Sequence, residues 1–201
     1  MHNVLVRLNA VIFFALTVLV FMAIFAAIST YLHTGEPIVE TLRVNDLKLL
    51  RVFRGRDNAE VYLDIRADLR PAWHWNLKQL FVFVVAEYES DLNVLNQIVI
   101  WDTIIQDREE AILDLERQEG KYSLIGQGVE LRNKTVQLKL HWDHMPYTGR
   151  IYPGVSDGST YTFPDSYQKA KEVPREVEKR TKAKNVKTSG KSKRKSARSE
   201  L

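Results

Sequence analysis

The sequence predicts a mainly β protein: one N-terminal transmembrane helix, then a β-sandwich domain, then a disordered basic tail. Three observations predict it. Ala10 to Ile28 is an uninterrupted apolar run of 19 residues with no charge. From Ile38 onward the apolar period is two, the signature of half-buried strands. After Tyr167 apolar residues all but vanish while Lys and Arg accumulate. The expected partition is 1–9 as a short leader, 10–30 as the membrane helix, 31–168 as the β-sandwich and 169–201 as the tail.

The apolar run comes first. Its one polar residue is Thr17. At 1.5 Å per residue it spans ~28 Å, about the thickness of a bilayer core. A helix is the only single segment that satisfies its own backbone in lipid. Tyr31 follows at the position of an interfacial aromatic. The competing reading is a cleaved signal peptide, for which Ala27-Ile28-Ser29 offers a small-x-small pattern. The run is longer than the apolar region of such peptides. Arg7 precedes the run, whereas Glu36 and Glu40 separate it from Arg43. The positive side faces the cytosol, so the N-terminus is expected there and the domain on the opposite side.

Strand signals fill the middle of the chain. Val61, Leu63, Ile65, Ala67 and Leu69 alternate with Tyr62, Asp64, Arg66 and Asp68. Val136, Leu138, Leu140 and Trp142 alternate likewise. Leu80 to Ala86 is a continuous apolar run, too short to span a membrane and expected as a central strand buried on both faces. Asn96–Ile105 and Ser159–Phe163 add two more, and Val39–Phe53 holds a pair of strands or one long one. Glu109–Glu119 is undecided between a short helix and another state. Gly120, Gly126, Gly128, Pro146, Gly149, Pro153, Gly154 and Gly158 read as turn residues. Many short strands with regular turn signals indicate a sandwich or barrel.

Composition narrows the chemistry. The chain has 201 residues and no cysteine, which excludes a disulfide scaffold, a thiol nucleophile and a thiolate zinc site. Its formal charge of +4 is unevenly shared. Residues 169–201 carry 13 Lys and Arg against 4 Glu, and 1–168 carry 16 basic against 21 acidic residues. The tail reads as a solvated, disordered extension. Attraction to anionic lipid or ribosomal RNA is a second reading.

No catalytic constellation emerges. His141 and His144 flank Trp142-Asp143 without an evident third metal ligand. His2 and His33 border the membrane run and His74 lies between tryptophans, which suits interfacial or structural roles. No serine sits in a G-x-S-x-G elbow or an S-x-x-K motif. Asp64 and Asp68 read as a solvated strand face, and Gly126-Gln127-Gly128 is too short for a phosphate loop. Expected catalytic, cofactor and metal residues are therefore none. Asn133-Lys134-Thr135 is an N-glycosylation triplet on an expected turn, making Asn133 the candidate modification site. Trp73, Trp75, Trp101 and Trp142 are candidates for core or interface.

Four stretches then carry a resemblance. They are Trp75-Asn76-Leu77-Lys78-Gln79-Leu80-Phe81 running on to Ala86-Glu87-Tyr88, Leu95 to Asp102, Trp142 with Pro146 and Gly149, and Phe163-Pro164-Asp165-Ser166-Tyr167. With Met1-His2-Asn3, Arg7 and Asn9-Ala10, they resemble the 22/23-kilodalton, or subunit 3, family of the signal peptidase complex. The likeness runs in order from residue 1 to about 167. The family's usual glycosylation triplet begins two positions later, where this chain has Thr135, and the basic tail extends past the family's usual end.

The resemblance implies a single-pass protein of the endoplasmic-reticulum membrane with a cytosolic N-terminus and a lumenal β-sandwich. It implies an essential, non-catalytic accessory subunit that supports signal-peptide cleavage by stabilising and positioning a separate catalytic subunit. Implied partners are that catalytic subunit, the other small membrane subunits, membrane lipid and, as a further candidate, the translocon, with no specific nucleic acid. An independent lumenal binding or chaperone-like module is the alternative reading, and a free-standing hydrolase the third.

Overall fold

The computed structural model describes residues 3–169 apart from 34 and 92. The expectations for His2 and for the tail beyond Lys169 lie outside these residues. The first element is helix α1, Val4–Ser29. Asn3 caps it, its side chain accepting the Leu5 N–H at 3.2 Å, which satisfies one of the orphan donors of a helix start. The helix therefore begins six residues before Ala10 and takes Arg7 into its first turns. The apolar run measures what lipid tolerates, whereas the cap decides where backbone hydrogen bonding starts. None of the helix residues is buried by the protein. The helix is long and apolar enough to cross a membrane. Thr17 Oγ1 donates to Phe13 O at 2.8 Å, so its hydroxyl is satisfied within the helix. A single 3₁₀ turn, Thr30–Leu32, follows.

Eight strands then form two antiparallel sheets. β1 (Ile38–Phe53), β2 (Arg56–Asp68), β5 (Ile112–Glu119) and the short β6 (Leu124–Ile125) make the first. Its order is β1-β2-β5, with β6 also pairing β2. β3 (Leu77–Tyr88), β4 (Asn96–Ile105), β7 (Thr135–Pro146) and β8 (Tyr152–Thr162) make the second, in the order β4-β3-β7-β8. Val39–Phe53 is one long strand with three register shifts against β2. Arg54 and Gly55, both at positive φ, close the β1–β2 hairpin in the handedness that strand twist favours. After β8 the chain returns to β1, where Leu50 and Gln168 exchange backbone hydrogen bonds of 3.0 and 2.9 Å.

Both sheets contribute to one contiguous core. Leu63 and Ile65 from β2, Leu80, Val82 and Val84 from β3, and Leu138 and Leu140 from β7 are fully buried. Truncating such a leucine to alanine costs about 2–5 kcal/mol. The alternations in β2 and β7 thus mark the core face as expected. Trp101 and Trp142 are buried, Trp73 packs partly against the core, and Trp75 stands out in solvent.

One open segment is decided and three local expectations are corrected. Glu109–Glu119 holds a 3₁₀ turn and then β5, because Leu113 and Leu115 pair with β2 and pack on the core. Leu80–Ala86 is a central strand, but Phe81 and Phe83 on its outer face are only half-buried. Pro146 closes β7, and Pro153, Gly154 and Gly158 lie inside β8, not in turns. A Cβ on Gly154 would sit 2.2 Å from the Trp142 indole nitrogen, so this glycine is demanded by close approach. Finally, Asp64 is buried and not solvated, for a reason given next.

Candidate interaction surfaces

Three features have the chemistry to meet a partner, or to show that none is needed. The first is the outer face of the β1-β2-β5 sheet. A bulge in β5 sets Glu116 and Arg117 opposite Asp64, between the pairs Leu63–Gln118 and Ile65–Leu115. Arg117 adopts φ +50 there, and its N–H leaves the ladder. Asp64 Oδ1 accepts that N–H at 2.9 Å. Its carboxylate also takes Asn45 Nδ2 at 2.9 Å and Arg43 Nε at 2.9 Å. Burial pushes the Asp64 carboxyl up, but these hydrogen bonds outweigh it and hold it below the ordinary carboxylate range. A groove of about 500 Å³ opens around it. Arg66 pairs with Asp114 and Glu116, and Lys48 with Glu60 and Glu119. These charges are paired within the face itself.

The outer face of the β4-β3-β7-β8 sheet differs. Phe81 and Phe83 stack at 5.2 Å, and the His141 ring lies flat against Phe83 at 5.0 Å. Val99, Ile104 and Val155 are exposed around them. His141 Nε2 is buried without a hydrogen-bond partner, and burial lowers the pKa of the ring. Lys139 and Glu87 pair at 2.8 Å at the margin of this patch.

The third feature is the junction between helix and sandwich. His33 Nε2 lies 2.8 Å from Pro71 O, and a carbonyl only accepts, so Nε2 carries the hydrogen. His144 Nδ1 likewise donates to Tyr152 O at 3.0 Å. His74 Nδ1 accepts the Asn76 N–H at 3.2 Å. The three rings lie in a row, His33 to His74 at 5.1 Å and His74 to His144 at 6.4 Å. Burial, with the neighbouring His33 and His144, pushes the His74 pKa down. With Nδ1 occupied by a donor, His74 is unavailable on that side as a metal ligand. Among the described residues no three His, Asp or Glu side chains are arranged to hold a metal ion. Beside the row, Asp68 grips the Arg70 guanidinium at 2.9 and 2.6 Å, which takes its carboxyl down to about 2. Tyr31 meets Tyr152 edge-on at 5.5 Å.

The other marked residues resolve into structure. Asn133 is exposed at φ +55 in the turn before β7. Ser29 Oγ donates to Ala26 O within the helix, and Ser90 joins Asn93 and Asn96 in the turn between β3 and β4. Three buried polar staples had no recognisable signal beyond their place in motifs. Asn76 holds Thr148 through Nδ2 to Thr148 O at 2.8 Å. Asn96 Nδ2 donates to Tyr88 O at 3.2 Å. Asp57, with no exposure, accepts the Leu131 N–H at 2.8 Å and the Tyr167 hydroxyl at 3.0 Å.

Fold and surfaces together define a β-sandwich fastened to its own apolar helix, with paired charges on one sheet and an open apolar face on the other. Comparison with known proteins makes this specific. The family model described as signal peptidase subunit matches residues 1–166, and the chain belongs to that family. It is similar to proteins named signal peptidase complex subunit 3. The Dictyostelium discoideum protein is 30% identical over 84% of this chain and 98% of its own length. The Gallus gallus protein is 33% identical over 85% and 99%, and the Drosophila melanogaster protein 32% over 83% and 97%.

Proposed function

We propose that this protein is a non-catalytic accessory subunit of the signal peptidase complex in the endoplasmic-reticulum membrane. It supports signal-peptide cleavage by holding the catalytic subunit, a separate chain, at a fixed height above the bilayer. Residues 1–9 lie in the cytosol, 10–30 cross the membrane, 31–168 form the lumenal domain and 169–201 extend from it as a basic tail. The observation that carries the reading is the family match over residues 1–166. The junction supports the brace. His33 on Pro71, Tyr31 on Tyr152 and Gly149 on Ala27 fasten the sandwich to the end of its own helix. A protease acting at a membrane surface needs such fixing, since displacements near 1 Å are costly in rate. The apolar face around Phe83 and Val155 is the surface that meets the partner, because an exposed patch of this kind is otherwise left facing water.

The test is affinity purification of the full chain in mild detergent with a pre-protein cleavage assay. Recovery of a serine endopeptidase, with cleavage that falls when this chain is depleted, is the expected result. Recovery of the chain alone, with cleavage unchanged on depletion, overturns the proposal in favour of an independent lumenal module. Lumenal placement predicts a glycan on Asn133, seen as a mobility shift on endoglycosidase treatment and lost in Asn133→Gln.

A further inference from the structure

The tip of the β7–β8 hairpin lies lower than a lumenal loop should. Gly149, at φ +107, backs directly onto α1: a Cβ there would be 3.3 Å from the Ala27 Cβ and 3.8 Å from its Cα. Ala27 belongs to the apolar run that ends at Ile28, and the apolar helical stretch continues to Leu32. The three residues from Ala27 to the end of the membrane segment at 30 rise about 4.5 Å, so the tip sits level with, or below, the end of the segment that crosses the bilayer.

The side chains around the tip suit that depth. Tyr147 is 68% exposed, Ile151 54% and Trp75 65%. Tyr31 and Leu32 at the helix end are exposed beside them. The Trp75 loop and the tip move as one piece. Tyr147 N–H donates to Asn76 O at 2.9 Å, and Asn76 Oδ1 accepts the Thr148 N–H at 3.2 Å. The only charge between Met145 and Tyr152 is Arg150, whose guanidinium lies over the Tyr152 ring at 5.0 Å. Residues 73–76 carry no carboxylate. Trp and Tyr prefer the boundary between acyl chains and headgroups, and an arginine there reaches a lipid phosphate.

We infer that the β7–β8 tip and the Trp73–Asn76 loop form a second membrane contact, seating Trp75, Tyr147 and Ile151 in the headgroup–acyl boundary of the bilayer that α1 crosses. The occupant of this surface is lipid, because the tip lies so close to the spanning helix that a methyl group on Gly149 would contact Ala27 inside the apolar run. Anchored at α1 and again at the tip, the sandwich is fixed in tilt as well as in height.

The chain has no cysteine, so single substitutions can carry a spin label. Four full-length variants, Tyr147→Cys, Ile151→Cys, Val20→Cys within the helix and Val94→Cys at the opposite end of the sandwich, are reconstituted in phosphatidylcholine nanodiscs. Each label is read for relaxation by oxygen, which concentrates in lipid, and by a water-soluble nickel chelate. Labels at 147 and 151 are expected to shift toward the oxygen-dominated response of Val20→Cys and away from the nickel-dominated response of Val94→Cys. Nickel dominance at 147 and 151 beside a lipid-like Val20→Cys overturns the inference and leaves the helix reading intact. Shielding of both labels from both reagents also overturns it, in favour of a protein contact. A water-like Val20→Cys removes the spanning helix and the inference with it. None of these outcomes depends on whether the chain assembles with a peptidase.

Discussion

The two sheets bury the same kind of core but finish their outer faces in opposite ways. On β1-β2-β5, Lys48 and Arg66 each meet two carboxylates, and Asp64 is spent on the Arg117 bulge, Asn45 and Arg43. On β4-β3-β7-β8 aromatic rings, aliphatic side chains and the unpartnered His141 Nε2 face outward. On the proposed reading, the face with half-buried rings is completed against a partner, whereas the face of paired charges needs no neighbour.

Four changes break or sharpen this contrast. Val155→Glu puts a charge on the open face and is expected to weaken co-purification with the peptidase about thirtyfold, a hot-spot-sized loss of about 2 kcal/mol. Thermal unfolding of the variant should be unchanged; an equal loss of stability would make the face structural. Asp64→Ala reverses the pattern. It strands the Arg117 N–H and is expected to cost about 1–3 kcal/mol in stability. Denaturant unfolding reads that loss, and partner recovery should stay intact.

Arg66→Gln removes exposed, solvent-screened pairs with Asp114 and Glu116 and should barely move stability. A larger drop in the same unfolding experiment would show the charged face to be a cooperative network. The smallest effect is that of pH. The His74 and His141 pKa values are lowered in the fold by burial. The unfolded chain therefore binds protons first as pH falls. Stability should decline from about pH 6.5 until the folded-state values are passed, and then level off. His141→Phe should flatten part of that slope and His74→Phe the rest. A slope unmoved by either substitution would assign the dependence to other groups.

Much of this was legible in the sequence, and the failures have physical causes. The helix, the core faces of β2 and β7 and the central position of β3 follow from apolar period and length, which are one-dimensional properties. β5 was not legible, since Ile112, Leu113 and Leu115 suit either period and only pairing with β2 decides. Asp64 misled because alternation tells which face a residue is on and not whether that face is wet. A bulge at Arg117 was needed to bury it. Gly154 looked like a turn because the indole that excludes a side chain there comes from another strand. The histidine row joins residues 33, 74 and 144, a proximity that no local pattern encodes. The open apolar face was legible only in part, as the run from Leu80 to Ala86.

The contacts of Pro71 with His33 and of Gly149 with Ala27 also bear on how quickly an assembly forms. A domain on a slack tether explores every orientation and must surrender that freedom on meeting a partner. Free association costs about 4–15 kcal/mol in translational and rotational freedom. On the proposed reading, these contacts hold the domain at one angle while its helix confines the search to two dimensions. A subunit in the same bilayer then meets a surface already oriented, and a modest contact area suffices to hold it.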